Sequence, residues 1–242
     1  MNTSFRITNF GMENENTREK WIYDALTQIP PGLKILDAGA GDQHHKQWCS
    51  HLEYVSQDSA QYDGKGNGAG FHTGTYEYGE LDIISDIVSI PREDKSFDAI
   101  LCTEVLEHII SPEEAIRELS RLLKPKGRLI LSAPFDSLTH FAPQHYFTGF
   151  NIYWYANILP KYNLKIIYSV PYGDYFEYLA QELNRIFTVA NKYCPAAAVT
   201  NNEEIKALET IMRMLMRFNA NSNGASSELL CYGYLIIGEK EN

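Results

Sequence analysis

Four short segments of this chain that read as strands each run into residues that could do chemistry at the strand's end. Ile35-Leu36 leads into Asp37, Gly39, Ala40 and Gly41; Glu53–Gln57 leads into Asp58; Leu81–Ser85 leads into Asp86 and Ile87; Phe97–Cys102 leads into Thr103 and Glu104. Glycine lets backbone come close to a ligand, and a following helix start offers free N–H groups to an anion. Asp58 stands 17 residues past Gly41. A carboxylate at that place accepts hydrogen bonds from both hydroxyls of a ribose and discourages a 2′-phosphate. Asp86 is positioned to take a donor such as an adenine amino group. Beyond the next strand, His140 and His145 lie where an acceptor pocket would form. A side chain that titrates near neutrality suits general-base work there. His108, one helical turn after Glu104, would face the same cleft. The plainer alternatives are Asp37 as a helix cap and the histidines as hydrogen-bonded loop residues.

A nicotinamide-dinucleotide turn would need GxGxxG. Here Gly39 and Gly41 are followed by His44 in the third position, which the close helix–strand packing of that motif does not admit.

The elements that must carry these residues follow from periodicity. Trp21, Ile22, Ala25, Leu26 and Ile29 predict a helix over 17–29, stopped by Pro30, Pro31 and Gly32. A short helix is expected at 44–52 and a flexible loop at 59–80, where Gly64, Gly66, Gly68 and Gly70 alternate with other residues. Ser111-Pro112-Glu113-Glu114 has the form of a capping box. Ile116, Leu119, Leu122 and Leu123 form the buried stripe of that helix, and Pro125 and Gly127 end it. Strands are expected at Arg128–Ala133, Leu164–Val170 and Leu229–Gly238, and helices at Phe176–Phe187 and Glu203–Phe218. Residues 135–158 are rich in aromatics and histidine. Strands alternating with helices through the first 135 residues imply βαβ units and a parallel sheet.

Composition narrows the function classes. The 242 residues are 44% hydrophobic and 21% charged, with 21 Lys plus Arg against 31 Asp plus Glu and a formal charge of −10. A polyanion would be repelled, and no run of Lys or Arg exceeds two, so no nucleic-acid partner is expected. Cys49, Cys102, Cys194 and Cys231 form no CxxC pair, so neither a metal site nor a disulfide framework is expected, and a reducing, cytoplasmic compartment fits. The first twenty residues carry Glu13, Glu15, Arg18, Glu19 and Lys20 without an apolar core, unlike a signal peptide, and no apolar run reaches the roughly 18 residues of a membrane span.

The ordered set ILDAGAG (35–41), Asp58 after YVSQ, Asp86-Ile87, SFDAILCTEVLEH (96–108) and RELSRLLKPKGRLILSAP (117–134) resembles the class I S-adenosylmethionine-dependent methyltransferases. A narrower resemblance, through SLTHFAPQHYFTGF (137–150), YWY (153–155) and YFEYLAQEL (175–183), is to bacterial members associated with glycan and cell-surface polysaccharide synthesis. The resemblance implies S-adenosyl-L-methionine as cofactor. It implies a Rossmann-like α/β fold of seven mostly parallel strands, the last antiparallel, with helices on both faces and a small helical insertion. Asp37, Gly39, Ala40 and Gly41 match the motif that cradles the methionine end. Asp58 matches the ribose-binding acid, Asp86 and Ile87 the adenine-contacting pair, and Thr103 and Glu104 the segment lining the cofactor. His140 and His145 are the catalytic candidates. One departure is Gln43, where many relatives have a third glycine. The expected organisation is an N-terminal helical segment (1–32), a cofactor-binding domain (33–170 with 228–242) and an inserted pair of helices (171–227) that caps the acceptor site or makes a homodimer contact. The expected reaction is methyl transfer to an oxygen or nitrogen of a small-molecule or glycan-precursor acceptor. The alternatives are a non-catalytic cofactor-binding sensor or partner subunit, and a nicotinamide-dependent oxidoreductase acting on a nucleotide sugar.

Overall fold

The computed structural model describes residues 8–198 and 201–242. The expectation of no leader falls in part on residues 1–7, outside that range. Seven strands form one sheet: β1 Lys34–Ala38, β2 Glu53–Asp58, β3 Ile83–Ile84, β4 Phe97–Thr103, β5 Leu123–Pro134, β6 Leu164–Tyr172 and β7 Gly233–Lys240, in the order β3-β2-β1-β4-β5-β7-β6. The pairs β1–β2, β1–β4, β2–β3 and β4–β5 are parallel, and β5–β7 is antiparallel. The expected Rossmann-like sheet is therefore present.

Successive strand side chains point to opposite faces, so burial of both parities means that both faces are covered. Ile35 and Leu36 in β1, Ile100 and Leu101 in β4, and Leu129 and Ile130 in β5 are all essentially buried. On one face, Ile35, Ala99, Leu101 and Ile130 pack with Ile22, Ala25 and Leu26 of α1 (Asn14–Thr27). Helix α2 (Pro112–Leu122) buries Ala115, Ile116, Leu119 and Leu122. Its Glu118 accepts the Ile90 N–H at 2.8 Å and pairs with Arg121, which also reaches Asp94, so the chain between β3 and β4 is anchored to the helix.

The chain divides into two compact units. One comprises Glu19–Val170 with Gly233–Asn242 and holds the body of the sheet. The other comprises Pro171–Tyr232 with the described part of Met1–Arg18. In this second unit, α4 (Tyr175–Tyr193) and α5 (Asn202–Ala220) pack through Ala180, Met212 and Leu215, with Phe10, Phe176, Leu179 and Leu183 against them. Asn201 and Glu204 form a capping box at the start of α5, and Asp174 caps α4 by accepting from Phe176 N–H and Glu177 N–H.

Several boundaries differ from the periodicity. The box expected at Ser111 does not form, since its side chain makes no capping bond. Strand β5 starts at Leu123, which pairs with Phe97, and a register shift between Phe97 and Ala99 accommodates Pro125 and Gly127 inside the strand. Residues 44–52 form only a 3-10 turn at His44–Trp48, and β7 starts at Gly233 rather than Leu229, with another 3-10 turn at Ala225–Glu228 before it. The aromatic stretch contains an unforeseen helix, α3 (Ile152–Lys161), capped by the Asn151 side chain. No described helix is long and apolar enough to cross a membrane.

Candidate functional site

The chain runs outward from β1 to β2 to β3, then returns to place β4 on the other side of β1. Strand order reverses between β1 and β4, and open α/β sheets bind ligands at such a point. A cavity of about 490 Å³ lies there.

The turn after β1 forms its floor. Gly39 N–H and Ala40 N–H both donate to the Gln57 carbonyl, at 2.8 and 2.9 Å, and Gln57 Nε2 donates to Ser85 O at 2.7 Å. One buried amide residue thus ties the ends of β1, β2 and β3 together. Gly41 N–H donates to Asp58 Oδ2 at 3.0 Å, while Asp58 Oδ1 accepts from Ala60 N–H. Each carboxylate oxygen retains a lone pair for a ligand. Asp86 Oδ1 accepts from Val88 N–H at 3.1 Å, which fixes the turn after β3.

Glu104, after β4, holds a left-handed backbone (φ +55°), donates its N–H to Ser132 O and accepts from Ser132 Oγ at 2.8 Å. A non-glycine residue in that conformation is a costly arrangement that concentrates at functional sites. Gln43 behaves likewise. It adopts φ +61°, the conformation that a glycine would take freely, and its Nε2 donates to Tyr78 O and Glu80 O, both at 2.9 Å. The departure from the glycine pattern therefore preserves the turn and gains a clamp on the loop before β3.

Gly39, Gly41, Asp58, Asp86, Ile87 and Glu104 all line the cavity. Asp37, Ala40 and Thr103 do not. Asp37 is 2% exposed and accepts from Tyr54 Oη at 2.7 Å; burial pushes its carboxyl above the usual range. His108 lines the cavity, whereas His140 and His145 stand behind it, with ring centroids 4.7 and 5.9 Å from His108. Burial, with His140 next, pushes His108 down to about 4, so its imidazole is neutral at pH 7. Burial also lowers His145, whose Nε2 lies 3.2 Å from Ser137 Oγ.

The loop 59–80 contributes more than its composition suggested. It carries Tyr62, Tyr76 and Tyr78 onto the wall, and the Tyr62 ring stacks on Phe141 at 4.2 Å. Asn67 N–H and Phe71 N–H bond to Ala142 O and Thr139 O, and Phe141 N–H bonds back to Phe71 O, so the loop is laced to the segment after β5. Sequence reasoning missed Gln57, Phe141 and the tyrosines. Only Gln57, a polar residue inside an otherwise buried strand end, offered a local signal.

Four carboxylates face the cavity (Asp58, Asp86, Glu104 and Glu114), and no Lys or Arg is among its described lining residues. The wall suits a ligand with cationic groups and offers no side-chain cation to a pyrophosphate.

The model of the methyltransferase domain family matches residues 14–191. The demethylmenaquinone methyltransferase of Renibacterium salmoninarum is 27% identical over 139 residues, 53% of each chain. The uncharacterized methyltransferase YcgJ of Bacillus subtilis is 31% identical over 124 residues, 46% of this chain and 42% of the relative. The chain spans about half the length, or less, of these curated relatives. Among solved structures, YcgJ superimposes with a TM-score of 0.55 at 13% identity, covering 94% of this chain and 99% of that one. A sarcosine dimethylglycine methyltransferase from Galdieria sulphuraria, so described provisionally, gives 0.55 at 14% identity, over 95% and 86%. Given the sheet order, the cavity at its reversal point and a family match over most of its length, the chain belongs to the S-adenosylmethionine-dependent methyltransferases.

Proposed function

We propose that this protein transfers the methyl group of S-adenosylmethionine to an oxygen or nitrogen of a small-molecule or sugar-containing acceptor. The observation that carries the reading is the charge of the cavity wall: four carboxylates and no Lys or Arg among its described residues. S-adenosylmethionine supplies a methyl group already activated on a sulfonium sulfur, and it carries an ammonium as a second cationic group. A volume of about 490 Å³ falls in the range of small-molecule sites.

In this reading Asp58 accepts the ribose hydroxyls with the lone pairs left over from its backbone bonds. Asp86 takes the adenine amino group beside Ile87, and Gly39 and Gly41 let the backbone pass close to the methionine end. Glu104, fixed by Ser132, faces the ammonium. Each residue acts by binding and orientation, and orientation alone accounts for a large part of the acceleration of such a transfer. The acceptor enters on the side of His108, with His140 and His145 behind it, and a hydroxyl acceptor loses its proton towards that side. A pyrophosphate-bearing dinucleotide would meet carboxylates with no side-chain cation to offset them, which disfavours the oxidoreductase alternative. A reducing, cytoplasmic location belongs to the same proposal and is supported by four free thiols, three of them buried.

The test is calorimetric titration with S-adenosylhomocysteine, followed by transfer of a labelled methyl group to a panel of hydroxyl and amine acceptors. Saturable one-to-one binding with turnover on part of the panel is expected. No binding at millimolar ligand would overturn the proposal; binding without turnover across the panel would favour a sensor or partner subunit.

A further inference from the structure

His108 and His140 come from different loops, yet their rings meet edge to face at 4.7 Å beside Glu107, whose side chain is 1% exposed. One ligand atom from each of the three residues lies within 4.8 Å of the other two. The two rings are oriented in the same way. His108 Nδ1 bonds to the Gln144 carbonyl, and His140 Nδ1 bonds to the Leu138 carbonyl at 2.9 Å. A carbonyl only accepts, so each ring places an N–H at Nδ1 and, in its neutral form, a lone pair at Nε2. His108 Nε2 is 3.8 Å from Glu107 Oε1. Metal-binding histidines are commonly oriented in this way, by a backbone carbonyl that holds the far nitrogen.

The backbone holds the donors in place. Tyr146 N–H and Phe147 N–H both donate to the Glu107 carbonyl, at 2.9 and 3.2 Å, and His108 N–H donates to Val105 O. The 3-10 turn at Leu106–His108 and the loop after β5 therefore form one support.

We propose that Glu107, His108 and His140 bind a divalent transition-metal ion at the edge of the cavity. Two imidazoles and one carboxylate suit Zn²⁺ or Mn²⁺ better than Mg²⁺ or Ca²⁺, which favour all-oxygen sets. Metal–ligand bonds of about 2.0–2.2 Å draw the donors together by roughly 1 Å, a movement within the range of side-chain torsions. Three protein ligands leave coordination positions open, and His108 lies on the cavity wall. The ion's role rests on the methyl-transfer reading; the binding site itself does not. In that role the ion binds the hydroxyl oxygen of the acceptor and makes it more acidic. The proton leaves to water. The oxygen lone pair forms the new bond to the methyl carbon while the C–S bond breaks and its pair stays on sulfur. The ion keeps its oxidation state throughout.

The test uses the full chain, stripped with EDTA and titrated with ZnCl₂ and, separately, MnCl₂ in a calorimeter. S-adenosylhomocysteine binding is measured in parallel on wild type, His140→Gln and His108→Gln. Wild type is expected to take up one equivalent of at least one of the two ions, and each variant to lose roughly 10- to 100-fold in affinity or more. His140→Gln is expected to bind S-adenosylhomocysteine as wild type does, because His140 does not line the cavity; this also shows that the variant is folded. No uptake of either ion by wild type would overturn the proposal. So would uptake unchanged in both variants, which would place the ion elsewhere, as at His44 and His45, whose Nε2 atoms lie 3.6 and 3.1 Å from Glu19 Oε2. Wild type that binds metal but not S-adenosylhomocysteine would support the metal site and remove the methyl-transfer reading.

Discussion

The Gly41 amide donates to the Asp58 carboxylate across 3.0 Å, joining the turn after β1 to the end of β2. The acid assigned to the ribose hydroxyls is thus also a strut of the glycine turn. Asp58→Ala removes both functions. Hydrogen bonds to a charged group are worth about 1.5–3 kcal/mol, so S-adenosylhomocysteine affinity should fall roughly 10- to 100-fold. Asp58→Asn keeps one carbonyl oxygen and should lose less. Calorimetry on the two variants checks the order, and equal affinity in Asp58→Ala and wild type would dissociate Asp58 from the ligand.

Gly39 is held at φ +77°, and a Cβ there would stand 2.4 Å from Val105 Cγ2. Gly32 has nearly the same backbone, φ +79°, but nothing within 4 Å of the added atom. Gly32→Ala should cost about 1 kcal/mol from backbone conformation alone, whereas Gly39→Ala adds the collision and should cost about 2–3 kcal/mol. Urea unfolding of the pair separates the two contributions. Equal losses would mean that Val105 moves aside freely.

Gln43 offers a compensating case. Gln43→Gly relieves the left-handed strain, worth about 1 kcal/mol, but gives up two side-chain hydrogen bonds to the carbonyls of Tyr78 and Glu80. Global stability should change by less than about 1 kcal/mol, while amide exchange across residues 76–80 should accelerate and cofactor-analogue affinity should fall a few-fold. Hydrogen-exchange mass spectrometry reads the loop directly. Unchanged protection there would show that the Gln43 amide does not hold it.

The parts of the fold legible in the sequence are those written in local order. Asp58, Asp86 and Glu104 each follow a segment that reads as a strand, so those strand ends, and with them three of the four carboxylates of the cavity wall, could be read. Helix α3 was hidden because Phe150, Tyr153, Trp154 and Tyr155 crowd its start and Pro160 sits in its last turn. The start of β5 was hidden because Pro125 and Gly127 read as breakers, whereas an irregular register keeps them in the strand. Ser111 has the residue type of a cap, but it lines the cavity and leaves the helix uncapped by side chain. The tyrosines of 59–80 reach the wall on a loop that backbone bonds tie to 139–142 and the Gln43 amide ties to the turn after β1, and His140 meets Glu107 and His108 across a separation equally remote in sequence. Spacing rules that look for metal ligands close together in sequence do not see such a group.

The burial of His108 has a consequence for stability against pH. Its side chain is 15% exposed, and its folded-state value lies near 4 against about 6.5 in an unfolded chain. Between these values the unfolded chain binds a proton that the folded protein does not, so unfolding gains as the pH falls. The stability linked to a neutral His108 is fully present above about pH 6.5 and is lost progressively towards pH 4. His145, also lowered, acts in the same direction. At about 1.4 kcal/mol per unit, His108 alone should make the protein on the order of 2 kcal/mol less stable at pH 5 than at pH 8. Other groups titrate over this range as well, so the comparison is with His108→Gln, which keeps the polar contact to the loop but cannot titrate. Urea midpoints of the two proteins, measured in EDTA at both pH values, should show the smaller pH dependence in the variant. Identical slopes would show that His108 takes up its proton in the folded protein as readily as in the unfolded chain, and would undo the downward shift assigned to it on the cavity wall.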